Sequence, residues 1–124
     1  MFLFKKFEIF AFTAAVICSA SSVNAECFIT GTNYRFDNGT SSATVTTDGA
    51  KCNFPFGTNG SSVFTSRTVV SKPNNGTLTE IGLMRLEFVP KPGFKGTDSF
   101  TVKLCGNDSG KTGCNTRTYN IKSN

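Results

Sequence analysis

The sequence predicts an all-β domain, an antiparallel sandwich of about seven short strands that carries two disulfides. Three observations support this fold class. Short runs of Thr, Ser, Val and Phe alternate in polarity and are separated by Asn, Asp, Gly and Pro, which is the pattern of strands and turns. No stretch after the N-terminal segment has the apolar period of an amphipathic helix. Four cysteines remain beyond that segment, an even number that indicates two disulfides.

The first 25 residues have the features of a secretory signal peptide. Lys5 and Lys6 precede an apolar run, and small residues follow it, which is the order that signal peptidase requires. We place the cleavage after Ala25, with an earlier cut after Ala20 as the alternative. The mature domain is then residues 26–124, and the protein is expected to be secreted or periplasmic.

The same segment is poorly suited to anchoring the protein. Its apolar run has about ten residues, whereas a helix needs about 20 to cross the hydrocarbon core. Ile17 precedes Cys18 and Glu26 precedes Cys27, so neither cysteine has the small neighbour that lipoprotein modification requires. We therefore expect no stable membrane insertion after cleavage.

Composition argues against several function classes. The mature segment holds 11 basic and 7 acidic residues, a net charge of +4 that is spread singly along the chain. Without basic clusters or a tryptophan for base stacking, this surplus predicts no nucleic-acid partner. The chain contains no histidine, so it has no Ser/His/Asp or Cys/His relay and no Cys and His pairs for zinc. We expect no enzyme activity, no metal and no cofactor.

The C-terminal half contains the clearest strands. Three segments, 83–89, 99–105 and 118–122, alternate apolar and polar residues with the period of two that a half-buried strand shows. Their apolar residues are expected to face the core: Met84, Leu86, Phe88, Phe100, Val102, Leu104, Tyr119 and Ile121.

Further upstream the signal weakens. Residues 69–70, 72–76 and 77–81 are expected to form a strand, a turn and a second strand. Additional strands are expected near 27–30, 43–47 and 63–68. The stretch 53–62, rich in Gly and Asn, is expected to be a loop.

Two motifs in this half resemble the bacterial Ig-like, cadherin-like repeat. The first is Ser-Lys-Pro-Asn-Asn-Gly-Thr-Leu at 71–78, and the second is Phe-Val-Pro-Lys-Pro-Gly-Phe-Lys-Gly-Thr-Asp-Ser-Phe-Thr-Val at 88–102. The second motif matches the family pattern in order and spacing at Pro90, Gly93, Phe94, Gly96, Asp98 and Phe100. The resemblance covers about half of the mature chain, residues 66–123, and it implies an Ig-like sandwich in which the first motif is a hairpin. The N-terminal third departs from the pattern.

The motif residues are expected to act structurally. Gly93 and Gly96 permit backbone angles that other residues resist, Phe94 folds back onto the core, and Asp98 accepts backbone N–H bonds in the turn. Calcium binding by Asp98 is the alternative. Only Asp108 is a nearby second acid, and the repeated acidic spacing of calcium loops is absent.

Strand parity predicts the disulfide pairing. If the core-facing aromatic residues of the last two strands lie opposite each other in a hairpin, Cys105 meets Cys114 on the outer face. A shift of one residue would put those aromatic residues on mismatched faces. The second bridge, Cys27 to Cys52, follows by elimination.

Binding or structural work fits these features better than catalysis. We expect a monomeric binding or adhesion module that acts in the bacterial envelope or outside the cell on a protein or glycan partner, with binding residues that the sequence does not identify. Two alternatives remain. One is a secreted enzyme inhibitor that presents the loop from Cys105 to Cys114, and the other is an accessory subunit of an envelope assembly.

Overall fold

Eight strands account for most of the chain in a computed structural model, which describes residues 26–31, 33–57 and 60–124. The predicted signal peptide lies outside the described residues. The strands are β1 (Cys27–Gly31), β2 (Thr40–Thr47), β3 (Cys52–Pro55), β4 (Ser62–Ser71), β5 (Gly76–Ile81), β6 (Arg85–Pro90), β7 (Gly96–Asp108) and β8 (Lys111–Ser123). Nowhere in the described ranges does the chain form a helix with the length and apolar character that a membrane crossing requires.

The strands form two sheets that pack face to face. The large sheet has five strands in the order β1-β2-β8-β7-β4, and the small sheet has three in the order β3-β6-β5. Neighbouring strands run antiparallel except β2 and β8, which run parallel. The predicted all-β sandwich with two disulfides is therefore confirmed, with eight strands in place of the expected seven or so.

An aromatic cluster joins the two sheets. Phe54 of the small sheet lies edge-to-face against Phe100 and Tyr119 of the large sheet, with ring centroids 5.1 and 4.8 Å apart. Phe100 and Tyr119 stack on each other at 4.8 Å, and Phe88 stacks on Phe100 at 6.4 Å. Large aromatic side chains bury much apolar area and favour these stacked and edge-to-face geometries. The cluster thus packs the two sheets against each other.

The segment expected to be a loop over 53–62 begins as a strand. Cys52 and Phe54 of β3, with Phe56 just after it, point inward and are at most 2% exposed. Burial of these three alternate side chains outweighs the turn preference of Asn53 and Pro55. Pro55 is tolerated because β3 is an edge strand, where a missing N–H costs no ladder bond on the free side.

The expectation that Met84 faces the core is wrong. Gly82, with φ 60°, lies in the turn that joins β5 to β6, and β6 begins only at Arg85. Met84 therefore lies in the turn and is 46% exposed, whereas Leu86 and Phe88 are fully buried. The alternating polarity of residues 83–89 therefore extends two residues beyond the strand, into the turn.

The first family motif does not form the hairpin that the resemblance implied. β4 pairs with β7 in the large sheet, whereas β5 pairs with β6 in the small sheet. Residues 72–75 therefore carry the chain from one sheet to the other. The expected order of strand, turn and strand is present, but the two strands are not partners.

Both predicted disulfides are confirmed. In the β7–β8 hairpin, Phe100 lies opposite Tyr119 and Cys105 opposite Cys114, in the predicted register. The bridge between these cysteines has a Cα–Cα distance of 4.0 Å. The second bridge, from Cys27 in β1 to the strand β3, crosses between the sheets with a Cα–Cα distance of 5.5 Å.

Candidate functional site

A polar cleft of about 470 Å³ opens at the end of the sandwich that carries the β7–β8 turn. We call it the hairpin-end cleft. Three segments that are distant in sequence form its walls: residues 33–36 before β2, residues 57 and 61–62 near the start of β4, and the β7–β8 turn. Its polar lining comes from Asn33, Arg35, Ser61, Ser62, Asp108 and Ser109.

Asp108 joins the three walls of the cleft. One of its carboxylate oxygens accepts the Phe36 backbone N–H at 2.7 Å, and the other accepts the hydroxyl of Ser62. These two bonds hold the pKa of Asp108 below its usual 3.8, and the bond from the Ser62 hydroxyl has the larger effect. The positive charge of Arg35 acts in the same direction, while partial desolvation opposes it. The carboxylate is therefore ionised at neutral pH.

The wall before β2 rests on a buried arginine. Arg117 of β8 points inward and is 7% exposed, with its guanidinium 5.2 Å from the ring centre of Tyr34 and 5.3 Å from that of Tyr119. Its Nη1 donates to the Ser41 hydroxyl at 3.0 Å, which in turn donates to the Asn115 amide oxygen at 2.6 Å. Burial raises the pKa of both tyrosines, and Arg117 partly offsets this. The cation–π contacts hold Tyr34 in place.

The same wall packs on β7 and β8 through two glycines. A Cβ at Gly106 would overlap the Phe36 ring, and one at Gly113 would overlap the Phe36 carbonyl. Asn38, with φ 60°, donates its N–H to the Cys114 carbonyl at 2.7 Å and accepts the Cys114 N–H through its side chain at 3.0 Å. The cleft is therefore built onto the hairpin by close packing and paired hydrogen bonds.

The predicted motif residues lie at the opposite end of β7 from the cleft. Asp98 accepts the backbone N–H groups of Asn74 at 3.0 Å, Asn75 at 2.8 Å and Ser99 at 2.8 Å, so it holds the crossing from β4 to β5 as well as its own turn. Pro90 is buried at the end of β6, where that strand stops before the turn. Pro90 and Asp98 thus both stabilise connections between strands.

Two motif glycines take positive backbone angles, with φ 75° at Gly93 and 143° at Gly96. The ring of Phe94 covers Gly96, where a Cβ would lie 3.3 Å from it. Phe94 stays half-buried there and does not join the core cluster, so the expectation that it folds back onto the core is wrong.

A calcium site shared by Asp98 and Asp108 is excluded by the fold. The two residues lie at opposite ends of β7, about 30 Å apart at the strand rise of about 3.3 Å per residue. Among the described residues, no group of three or more acidic or cysteine side chains is placed to hold a metal ion.

The sequence alone does not indicate the cleft, although the position of Arg117, which supports one of the cleft walls, is unusual in the strand pattern. Arg117 shares strand parity with Tyr119 and Ile121, and a charged residue on an apolar strand face indicates a specific partner beneath it. The remaining lining residues share no spacing, because the fold brings three separate segments together.

The fold and its motif turn define an Ig-like domain, and comparison with known proteins assigns the family. A family model described as a bacterial Ig domain matches residues 28–122. The chain therefore belongs to the bacterial Ig domain family, and the match includes the N-terminal third that lacked the sequence motifs. Membership of this family suggests a binding or adhesion type of module, and Ig-like domains are generally non-catalytic. Among curated proteins, none matches this chain.

Proposed function

We propose that the protein is an exported binding module that holds a neutral, hydroxyl-rich ligand, such as a segment of a glycan, in the hairpin-end cleft. The observation that carries this proposal is the junction at Asp108, where one ionised carboxylate joins the three walls and lines the cleft. A volume of about 470 Å³ lies within the range of about 300–1,000 Å³ that small-molecule sites occupy.

The chemistry of the lining favours hydroxyl groups. Arg35 donates hydrogen bonds, Asp108 accepts them, and the serine hydroxyls of the lining do both. The opposite charges of Arg35 and Asp108 offset each other, so the cleft has no strong preference for an anion or a cation. Adjacent hydroxyls on a sugar ring present the matching donors and acceptors.

The cleft is also preorganised, which lowers the entropy cost of binding. Tyr34 is held between Arg117 and the edge of Phe36, whose ring centroid is 5.8 Å away. The β7–β8 turn is tied to Ser61 through Ser109, whose hydroxyl donates to that of Ser61 at 2.9 Å. A ligand would therefore meet walls that are already in position.

Titration with oligosaccharides, followed by NMR of the backbone amides, tests the proposal. Shifts are expected at residues 33–36, 61–62 and 108–109, and Arg35→Gln should weaken binding about tenfold by removing a charge-assisted hydrogen bond. Arg85→Gln, the same change at an exposed site outside the cleft, is the matched control and should leave affinity unchanged.

Two results would overturn the proposed ligand. One is binding that Arg35→Gln and Arg85→Gln weaken equally. The other is the absence of shifts with every oligosaccharide while a protein from envelope extract shifts the same cleft amides. The second result would keep the cleft as the site but make the partner a protein.

Export is part of the proposal, and a hydrogen bond made by Glu26 supports cleavage after Ala25. The Glu26 backbone nitrogen donates to an Asp48 carboxylate oxygen at 2.8 Å. After cleavage there, this nitrogen becomes the α-ammonium of the mature chain and the bond becomes charge-assisted. The two disulfides suit an oxidising compartment. Intact-mass measurement of the exported protein checks the cleavage site, and a mass that begins at Ser21 would favour the earlier cut.

We favour the cleft over the inhibitor alternative, because the Cys105–Cys114 segment is held to its neighbours. The chain from Cys105 to Cys114 is a regular hairpin with a turn at Ser109 and Gly110, and this turn bonds back to Ser61. It is therefore a paired strand turn rather than a free loop, although its tip residues Ser109 and Gly110 are exposed.

A further inference from the structure

The sandwich has four edge strands, and three of them carry features that block pairing with another strand. β4 is interrupted by two register shifts along its pairing with β7. β3 has only four residues and includes Pro55. β5 carries the charged Glu80, which is paired with Arg67 of β4. Bulges, short length, proline and charge are the means by which native edge strands avoid aggregation.

β1 is short, like β3, but it has none of the other three features. Its five residues, Cys-Phe-Ile-Thr-Gly, contain no charge and no proline, and its register with β2 is continuous. Phe28 is 59% exposed and Ile29 is 39% exposed. The free side of β1 therefore presents unpaired backbone N–H and C=O groups beside two apolar side chains, which is a template for a further strand.

We propose that β1 pairs antiparallel with β1 of a second copy of this chain, about a two-fold axis at Ile29. The two large sheets then form one continuous sheet across the dimer. In this register Ile29 faces Ile29, Phe28 of each copy faces Thr30 of the other, and Cys27 faces Gly31. A symmetric contact of this kind requires one patch to be complementary to itself.

The side chains of β1 meet that requirement. Ile29 lies on the inner face beside Val45, so two copies place their isoleucines together at the border of the core. Phe28 and Thr30 lie on the outer face, and aromatic residues pair well with β-branched residues across strands.

On the inner face of the proposed contact there is also space for the second copy beside the disulfide. Cys27, bridged to Cys52, is bulky, and Gly31 of the other copy opposes it without a side chain. No charged residue lies on β1, so symmetry brings no like charges together.

The register at Ile29 is also the one that uses the whole strand. It pairs all five residues, whereas a shift of two residues in either direction leaves three pairs. A shift of one residue would place inner-face residues opposite outer-face residues and expose the apolar side of one sheet. Because the strand is short, the contact is small and association is weak, with a dissociation constant of about 0.1–1 mM. The monomer that the sequence predicts is then the main species at low protein concentration.

Sedimentation velocity of the exported protein between about 10 μM and about 1 mM tests the dimer. We expect a reversible dimer that Ile29→Lys weakens at least about tenfold, because the axis brings two lysines together. Val70→Lys makes the same kind of change on the interrupted β4 edge, where Val70 is 58% exposed, and should leave association unchanged. A protein that is monomeric throughout, or equal effects of the two changes, would overturn the proposal.

Backbone hydrogen exchange of the unmodified protein gives a second measurement, independent of how the variants fold. Amides of β1 that point away from β2 should exchange several-fold more slowly at the higher concentration, because pairing protects them. A dimer whose β1 amides exchange equally fast at both concentrations would show that another surface forms the contact.

Discussion

β7 carries an aspartate near each of its ends, and the two residues do similar work in different surroundings. Asp98 accepts three backbone N–H groups and holds the crossing from β4 to β5. Asp108 accepts one backbone N–H and one hydroxyl, and it also lines the open cleft. Both aspartates line open space of about 470 Å³, so open space alone does not distinguish the two strand ends. They differ because Asp98 accepts only backbone N–H groups, whereas Asp108 also accepts the hydroxyl of Ser62 and is the residue on which the proposed ligand site is built.

The packing near the two aspartates differs in the same way. Between them, the aromatic cluster around Phe100 fills the middle of the sandwich. Toward Asp108 the interior becomes mixed, because Arg117 and Asn115 of β8 are buried there beside the apolar Leu104 and Phe64. Stability is therefore expected to come mainly from the aromatic middle, and the cleft end to contribute less. The following substitutions test that division.

The largest loss is expected from Phe100→Ala. This side chain is fully buried and contacts Phe54, Phe88 and Tyr119, so its removal leaves a cavity between the sheets and should lower the free energy of unfolding by about 3–5 kcal/mol. Denaturant unfolding measures this. Phe94→Ala, at the half-buried motif position outside the core, is the control and should cost clearly less; equal losses would contradict the assigned core.

Removal of the disulfides should rank next. Replacing Cys27 and Cys52 by alanine opens the longer loop and frees β1 from the small sheet, at about 3.5 kcal/mol in the chain-entropy model. Replacing Cys105 and Cys114 opens the shorter loop of a hairpin that its ladder already holds, at about 2.5 kcal/mol. Unfolding curves of the two double variants give the comparison, and the reverse order would be inconsistent with it.

Arg67→Met should have an intermediate effect. The arginine is almost completely buried, lies over the Phe56 ring at 5.6 Å, and donates to carbonyl oxygens in the β5–β6 turn, including those of Gly82 and Leu83. Methionine keeps the apolar stem but leaves these carbonyls unpaired, which should cost about 1.5–3 kcal/mol. Arg85→Met at an exposed position serves as the control in thermal unfolding, and a comparable loss there would show that the bonds of Arg67 add little.

The smallest effect is expected for the stability of the protein at low pH, and it concerns Asp108 at the cleft end. Because the folded-state pKa of Asp108 is lowered, its contribution to stability is present above the usual 3.8 and is lost as pH falls through the lower folded-state value. Asp108→Asn should therefore flatten the decline of melting temperature below about pH 4. Parallel profiles for the wild type and the variant would show that the carboxylate is not selectively stabilised in the fold.

The sequence predicted the parts of the fold in which strand parity is unambiguous. Alternation around Phe100 and Tyr119 defined the β7–β8 register, and that register placed Cys105 opposite Cys114. The same alternation gave the wrong orientation for Met84, because it does not mark where a turn ends and a strand begins.

β3 and the cleft were missed for different reasons. The inward alternation of Cys52 and Phe54 was visible, but Asn53 and Pro55 suggested a loop. The cleft depends on tertiary contacts between segments that no local pattern links, and Asp108 is an ordinary turn residue until the fold brings Phe36 to it.

The bridge between β1 and β3 has a mechanical consequence. Tension applied to the two ends of the chain follows the shortest covalent route, which passes through this disulfide and bypasses residues 28–51. Most of β1, all of β2 and the cleft wall at 33–36 lie inside that loop, so pulling on the chain ends cannot extend these segments while the bridge is oxidised, although β2 still bears load through its pairing with β8.

The bridge within the β7–β8 hairpin does the same for residues 106–113, which include Asp108. Two of the three cleft walls thus lie on segments that pulling cannot extend, whereas the third, at Ser61 and Ser62, lies outside both disulfide loops. Extension of the chain under force would therefore have to begin outside the two loops.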